Sequence, residues 1–415
     1  MTGLLPVLPF YLKKRASAGK EDPARLSERQ GYGYQPLGIS ERRIWLHAVS
    51  VGECNAALSL AKALSASFPK ADFIITTGTV TAAQMIEDKK QDLPLTHIYA
   101  PFDAPACVRR FLDHVKADIA IFLESDFWPC LLEETHKKGI DIYLASAQMS
   151  QNAFANWQKY KSLSHYIFSA VQLCFAVDEV QKNQFTALGA PRCEAVGSLK
   201  LPAQMVIDDA FTKQLQKAAS RRLILLAAST HDGEELHALR LSRALDTAGI
   251  AHMLIIAPRH PARGDEVAAL LGDVKRKSKG EMPEIGDTLY LSDSLGDMAS
   301  LYKACDFVFL GATFSGKGGH NPLEPAAMGK PIICGPSQFK NQFEFEALLK
   351  KEICFQISDE RQMVSLIARL KEDKTELSRI AKEGKAYVRQ SQKRSAQVAS
   401  KIASIYKRPD REANS

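Results

Sequence analysis

Short apolar runs alternate with helical patterns along most of this chain, and the runs end in loops of polar residues, glycine and proline. In the first half the runs are Ile44–Ala48, Asp72–Thr77, Ile119–Leu123, Ile140–Ala145 and Leu173–Val177. Helical patterns at Cys54–Phe68, Pro105–Val115 and Phe127–Lys138 lie between them. The second half repeats the rhythm with runs at Arg222–Ala228, His252–Ala257, Phe307–Gly311 and Pro331–Cys334. Its helices are expected over Gly233–Ala248, Arg263–Leu271, Asp297–Ala304 and Pro322–Met328, with Thr230 as a plausible N-cap for the first. This alternation predicts β-α-β units and a mostly parallel sheet, an α/β fold.

A chain of 415 residues exceeds what one core usually holds, so two domains are expected. The two rhythms meet at Ser198–Lys217, which contains Pro202 and no clear strand. The expected organisation is a basic and apolar segment over 1–35, one α/β domain over 36–205, a second over 206–390, and a C-terminal helix with a disordered tail over 391–415. Residues 359–408 are helical in pattern and highly charged, which suggests an exposed cap, and Lys407–Ser415 reads as disordered. In open α/β sheets ligands sit beyond the carboxyl ends of the strands, so the loops that follow strands carry the interest.

The front of the chain has its own character. Residues 1–30 hold Lys13, Lys14, Arg15, Lys20, Arg25 and Arg29 against Glu21, Asp22 and Glu28, part of a net charge of +7. Such a segment is either a solvated leader or one drawn to an anionic surface. Met1–Leu12 is apolar, but Pro6 and Pro9 interrupt it. No run reaches the roughly 18–20 apolar residues of a spanning helix. Met1–Leu12 also lacks a small-residue cleavage site, so it suits a membrane interface better than a crossing or a signal peptide. The eight cysteines contain no C-x-x-C pair and the ten histidines no H-E-x-x-H spacing. A reducing compartment is expected, with no structural zinc and no other metal site.

Six loops hold candidate chemistry. His47–Glu53 (HAVSVGE) turns into a helix with Glu53 in its first turn. That carboxylate is either a helix cap or a general base. Leu123–Pro129 (LESDFWP) places Glu124 and Asp126 just past a strand, again as caps or as catalytic carboxylates. Lys200, in Gly197–Lys200, is either solvated or able to neutralise developing negative charge. Pro258–Pro261 (PRHP) presents Arg259, whose planar fork suits a phosphate or a structural ion pair. Leu295, Gly296 and Asp297 open a helix where an anion can bind. Gly316–Pro331 (GKGGHNPLEPAAMGKP) is a glycine-rich loop entering a helix at Pro322, with Glu324 placed to accept from ribose hydroxyls. It is not a Walker P-loop, because G-x-x-x-x-G-K-[ST] is absent.

Taken in order, HAVSVGE, LESDFWP, GSLK, STHDGEE, PRHP and GGHNPLEP resemble the transferases of 3-deoxy-D-manno-oct-2-ulosonic acid (Kdo), over about residues 10–345. The stretch Lys20–Gly31 before the first strand resembles theirs too. The resemblance implies the GT-B architecture, two Rossmann-like domains with parallel sheets facing across a cleft. The first would bind the acceptor and the second the donor, CMP-Kdo. It implies inverting transfer to a lipid A precursor, lipid IVA, in lipopolysaccharide core biosynthesis, without a metal or other cofactor. It implies Glu53 as general base, with Glu124 and Lys200 stabilising the transition state. CMP would be bound by Pro258 and Arg259, by Leu295, Gly296 and Asp297, and by Asn321, Pro322, Leu323 and Glu324. The implied setting is the cytoplasmic face of the bacterial inner membrane, with its anionic surface as partner and no nucleic acid. Two departures stand out: Asp126 occupies a position where the family commonly has Glu, and the apolar N-terminal anchor is short. Rival readings are a GT-B transferase or epimerase using another nucleotide sugar, or a non-catalytic scaffold.

Overall fold

Residues 8–90, 93–202 and 206–406 are described by the computed structural model. The expectation of a disordered Lys407–Ser415, and the first seven residues of the apolar opening, lie outside them. The chain divides into two units, Met1–Leu201 with Ser391–Ser415, and Pro202–Gln390.

Each unit is built on a seven-stranded parallel sheet. The first contains β1 (Arg42–His47), β2 (Ala71–Thr77), β3 (Leu95–Tyr99), β4 (Ile119–Leu123), β5 (Asp141–Ala147), β6 (Val171–Ala176) and β7 (Cys193–Ala195), in the order β3-β2-β1-β4-β5-β6-β7. The second contains β8 (Leu223–Thr230), β9 (His252–Pro258), β10 (Lys275–Arg276), β11 (Leu289–Leu291), β12 (Phe307–Leu310), β13 (Ile332–Cys334) and β14 (Cys354–Gln356), in the order β10-β11-β9-β8-β12-β13-β14. The expected runs all become strands. The strands that periodicity missed are β3, whose pattern is broken by Thr96 and His97, and β7, β10, β11 and β14, which are only two or three residues long.

The strands are apolar on both sides because helices cover both faces. In β1, Ile44 and Leu46 join one core layer, with Leu60 and Leu64 of the helix Val51–Ser67. Trp45 joins the opposite layer with Phe111 of the helix Pro105–Val115. The sheet order reverses between β1 and β4 in one unit and between β8 and β12 in the other. A crevice opens at such a switch point, outside the carboxyl ends of the strands. The loops bearing Glu53 and Glu124 follow β1 and β4; those bearing STHDGEE and the glycine-rich run follow β8 and β12.

Three local expectations change. Thr230 is the last residue of β8 rather than a helix N-cap; Gly233, with φ 86°, caps the helix Glu234–Thr247. The Thr230 hydroxyl instead donates to Glu235. The helix Lys374–Ile405 is not an exposed cap: Ile380 is buried in the second unit's core, and Val398, Ala399 and Ile402 in the first's. Its charged residues mask an apolar stripe.

The basic front segment is also more enclosed than its charge suggests. The helix Leu8–Ser17 buries Leu8 and Leu12, one turn apart, with Ala104 and Cys107. Arg15 pairs with Glu21 at 2.8 Å and Arg25 with Glu28 at 2.7 Å. Arg29 lies 3.5 Å from Glu21. Lys13, Lys14, Phe10 and Tyr11 face solvent. Among the described residues no helix is long and apolar enough to cross a membrane.

Candidate functional site

In the first unit the loop after β1 is organised by its own polar side chains. Ser50 caps the helix Val51–Ser67 and accepts from the Glu53 N–H. The Glu53 carboxyl returns the contact: Oε2 accepts from the Val49 N–H at 2.7 Å and Oε1 from the Ser50 hydroxyl at 2.8 Å. This is a variant of the capping box in which the carboxylate takes the N–H of the residue before the N-cap and the N-cap hydroxyl, so the cap reading of Glu53 is true as far as it goes. An ordinary cap is solvated, however, and Glu53 is only 7% exposed. Burial first, then the carboxylates of Asp126 and Glu124, push its pKa up to about 8.

Those two carboxylates come from the loop after β4. Glu124 has φ 55°, a left-handed conformation that costs a non-glycine residue energy and tends to persist where the surroundings enforce it. Here the enforcement is visible. The Glu124 N–H donates to the Ala145 carbonyl, its own carbonyl accepts from the Gln148 N–H, and its Oε2 accepts from the Gln148 side-chain amide at 3.2 Å. Lys200 Nζ lies 3.3 Å from the same oxygen. Asp126 shares a hydrogen bond with the Glu53 carboxyl and another with the Trp128 side chain, and burial raises its pKa.

Lys200 is 9% exposed, so the solvated reading fails. The reason is the C-terminal helix. Gly197 has φ 93°, and a Cβ there would stand 2.6 Å from Arg394 Nε. Arg394 also donates to the Ser198 carbonyl at 3.0 Å, while the Ser146 hydroxyl accepts from the Leu199 N–H. A loop so held turns its lysine inward, onto Glu124. His47, also in the HAVSVGE motif, is fully buried; burial first, then Arg29, pushes its pKa down to about 3.

In the second unit, the loops after β8 and β12 meet. A Cβ on Gly311 would stand 2.2 Å from the Ser229 carbonyl oxygen, so only glycine allows this approach. Glu234, 1% exposed, stitches the two loops together. Its carboxylate accepts from the N–H groups of His231 (2.9 Å), Ala312 (2.8 Å), Phe314 (3.0 Å) and Ser315 (3.2 Å). Glu235, equally buried, takes Arg263 Nη1 at 2.8 Å and so ties the PRHP loop to β8. Arg263, rather than Arg259, is therefore the structural ion-pairing arginine of this region; Arg259 is exposed.

The glycine-rich loop has a different logic from the one expected. Gly318 and Gly319 have φ 87° and 77°, and Cβ atoms there would meet Phe339 and Phe345 of the same unit within 2.7 Å. They serve the chain's own packing. Only Gly316 has open space beside it. Asn321 Oδ1 accepts from the Leu323 N–H at 3.0 Å and orders the turn after Pro322. Glu324 stands near the buried Tyr302 phenol and helps burial hold its pKa far above normal. Asp297 caps the helix Met298–Ala304 and lies 3.5 Å from Lys277, while Leu295 is exposed. The helices behind these positions have five and seven residues, so fewer aligned peptide dipoles support an anion than the sequence suggested.

Among the described residues no three His, Cys, Asp or Glu side chains converge where they could hold a metal ion. Sequence reasoning missed Gln148, Glu234, Glu235 and the coupling of Asp126 to Glu53. The only available signal for the glutamates was the STHDGEE motif, where two acids at a helix start look like ordinary dipole compensation.

Comparison with known proteins gives the family and the fold. The family model described as 3-deoxy-D-manno-octulosonic-acid transferase (kdotransferase) matches residues 24–203. A 3-deoxy-D-manno-octulosonic acid transferase of Haemophilus influenzae is 30% identical over 336 residues, 79% of this chain and 77% of that protein. One from Rickettsia bellii is 29% identical over 369 residues, 88% of this chain and 87% of that protein. A putative UDP-N-acetylglucosamine 2-epimerase from Listeria monocytogenes superposes with a TM-score of 0.59 at 13% identity, covering 89% of this chain and 98% of its own, which speaks for the fold alone.

Proposed function

This chain belongs to the 3-deoxy-D-manno-octulosonic-acid transferase family, a GT-B enzyme that transfers Kdo, and on that premise we propose that its donor is CMP-Kdo, its acceptor a lipid A precursor such as lipid IVA, and its stereochemical course inverting. The observation that carries the reading is Glu53: a buried carboxyl with raised proton affinity, fixed at the switch point of one sheet. A sugar hydroxyl is a poor nucleophile, and a positioned base with a pKa near the working pH suits it.

In this mechanism Glu53 takes the proton of the acceptor hydroxyl as its oxygen attacks the anomeric carbon of Kdo. The bond from that carbon to the phosphate oxygen breaks, and CMP leaves with the electron pair. One displacement inverts the anomeric centre. Glu124 and Lys200, joined at 3.3 Å, act on the charge that develops as the sugar gains oxocarbenium character. In the second unit Pro258 and Arg259 hold the leaving phosphate. Leu295, Gly296, Asp297, Asn321, Pro322, Leu323 and Glu324 line the remainder of the nucleotide site, with Glu324 on the ribose. No metal or cofactor takes part. Lys13, Lys14, Phe10 and Tyr11, all exposed on one short helix, rest on the anionic cytoplasmic face of the inner membrane.

The test is incubation with CMP-Kdo generated in situ and a tetraacylated lipid A precursor, followed by mass spectrometry of the lipid. The expected result is a mass gain of one or more Kdo residues and release of CMP. Consumption of a UDP-sugar with CMP-Kdo untouched would sink the donor assignment.

A further inference from the structure

A basic cluster in the second unit goes beyond the nucleotide site described above. The glycine-rich loop folds back onto the end of β12, where the Gly319 N–H donates to the Ala312 carbonyl and the His320 N–H to the Gly311 carbonyl. This sets the His320 ring beside His231, which follows β8. The two rings lie nearly parallel, 12° apart, with their Nε2 atoms separated by 3.1 Å. Lys317 Nζ stands 3.3 Å from Nδ1 of His231.

The hydrogens in this string follow from chemistry. An ammonium has no lone pair, so Lys317 donates and His231 Nδ1 accepts. A neutral His231 then carries its hydrogen on Nε2 and donates it to Nε2 of His320, which leaves the His320 hydrogen on Nδ1. His260 packs edge-on against His231 with ring centroids 5.8 Å apart. His320 is pushed down to about 3, mainly by burial and then by His231, Arg259, Lys340 and His260. Cations therefore converge here, and among the described residues neither Arg259 nor Lys317 forms an ion pair with a carboxylate. The carboxylate that faces His231, Glu234, already accepts four backbone N–H groups.

We propose that this cluster is a second anion subsite, in which Lys317, held by the His231–His320 pair, receives the carboxylate of the donor sugar while Arg259 receives the phosphate. The assignment deepens the proposed function and rests on CMP-Kdo being the donor. In that molecule the carboxylate and the phosphate oxygen are attached to the same anomeric carbon, so two cationic groups on neighbouring loops are what its recognition requires. A nucleotide sugar with a neutral hexose offers only phosphate and leaves Lys317 without an anionic partner. The cluster thus makes the donor site selective for a sugar acid, because only a sugar carboxylate gives the Lys317 ammonium a charged partner.

The test separates carboxylate from phosphate. In Lys317→Met and His231→Gln, checked for an unchanged unfolding midpoint, KM for CMP-Kdo should rise at least about tenfold, the value of one charge-assisted hydrogen bond. The inhibition constant of CMP, which has the phosphate but no sugar carboxylate, should stay within about threefold of the parent. Equal weakening of both would overturn the proposal by assigning the string to the phosphate, and no change in either would show that it binds no part of the donor. A parent enzyme that ignores CMP-Kdo refutes the donor reading itself, before either variant is consulted.

Discussion

Two sheets of the same class carry opposite chemistry at the same place. In the first unit the switch point between β1 and β4 gathers the carboxyls of Glu53, Glu124 and Asp126, with Lys200 as the counter-charge. In the second, the switch point between β8 and β12 gathers His231, His320 and Lys317, with Arg259 on the adjoining loop. Burial acts on both in the same direction, against charge. It holds Glu53 protonated to a higher pH and His320 neutral to a lower one. A fold of this kind therefore supplies a crevice and leaves the sign of the charge there to a few loop residues, so one module suits proton abstraction and the other suits anion binding.

The contrast can be broken at its acidic end first. Glu53→Gln should retain CMP affinity and lose about 10²–10⁴ in turnover, because the amide keeps the shape and cannot take a proton. If Glu53 were only a cap, turnover would be nearly normal, with stability down by about 0.3–1 kcal/mol. Next comes the basic end. Arg259→Ala should weaken CMP binding by about 10- to 100-fold, the range for a lost charge-assisted hydrogen bond. Calorimetry that finds unchanged affinity would remove the phosphate from this loop.

A smaller effect is expected at Glu234. In Glu234→Gln one acceptor oxygen becomes a donor that faces backbone N–H groups, at a cost of about 1–3 kcal/mol. The two loops should loosen, and KM for the donor should rise several-fold with kcat little changed. Equal KM and a lowered unfolding midpoint would confine Glu234 to stability.

Asp126→Asn sharpens the comparison most finely. Glu53 works as a base only when ionised, so kcat/KM should rise with pH through its pKa near 8. Removing the neighbouring negative charge favours ionisation, so the acidic limb of the profile should move to lower pH, with a gain of a few-fold at pH 7. An unmoved limb would mean that Asp126 has no part in the proton affinity of Glu53, leaving burial and Glu124 to set it.

Much of the fold was legible because it is local. Each strand with four or more apolar residues announced itself, as Leu223–Thr230 and Ile119–Leu123 did, and the loops after them held the candidate residues. β10 and β14 were invisible, since two or three residues carry no period and their pairing with β11 and β13 is a tertiary event. The charged sequence of Lys374–Ile405 hid Val398 and Ile402 for a similar reason: a long amphipathic helix reveals a stripe, not what the stripe meets.

The sequence by itself determined the order of β-α-β units, the residue types at each strand end and the likeness to Kdo transferases, since these are properties of short contiguous stretches. Only the tertiary structure decided that Lys200 turns inward onto Glu124, that Asp126 shares a hydrogen bond with Glu53, that Glu234 joins loops about eighty residues apart, and that Gly318 and Gly319 make room for Phe339 and Phe345. The physical reason is that the proton affinity and charge of a side chain depend on burial and on neighbours within a few ångströms. Those neighbours are brought in by the register of parallel strands and by close backbone approach, from parts of the chain that no local pattern connects.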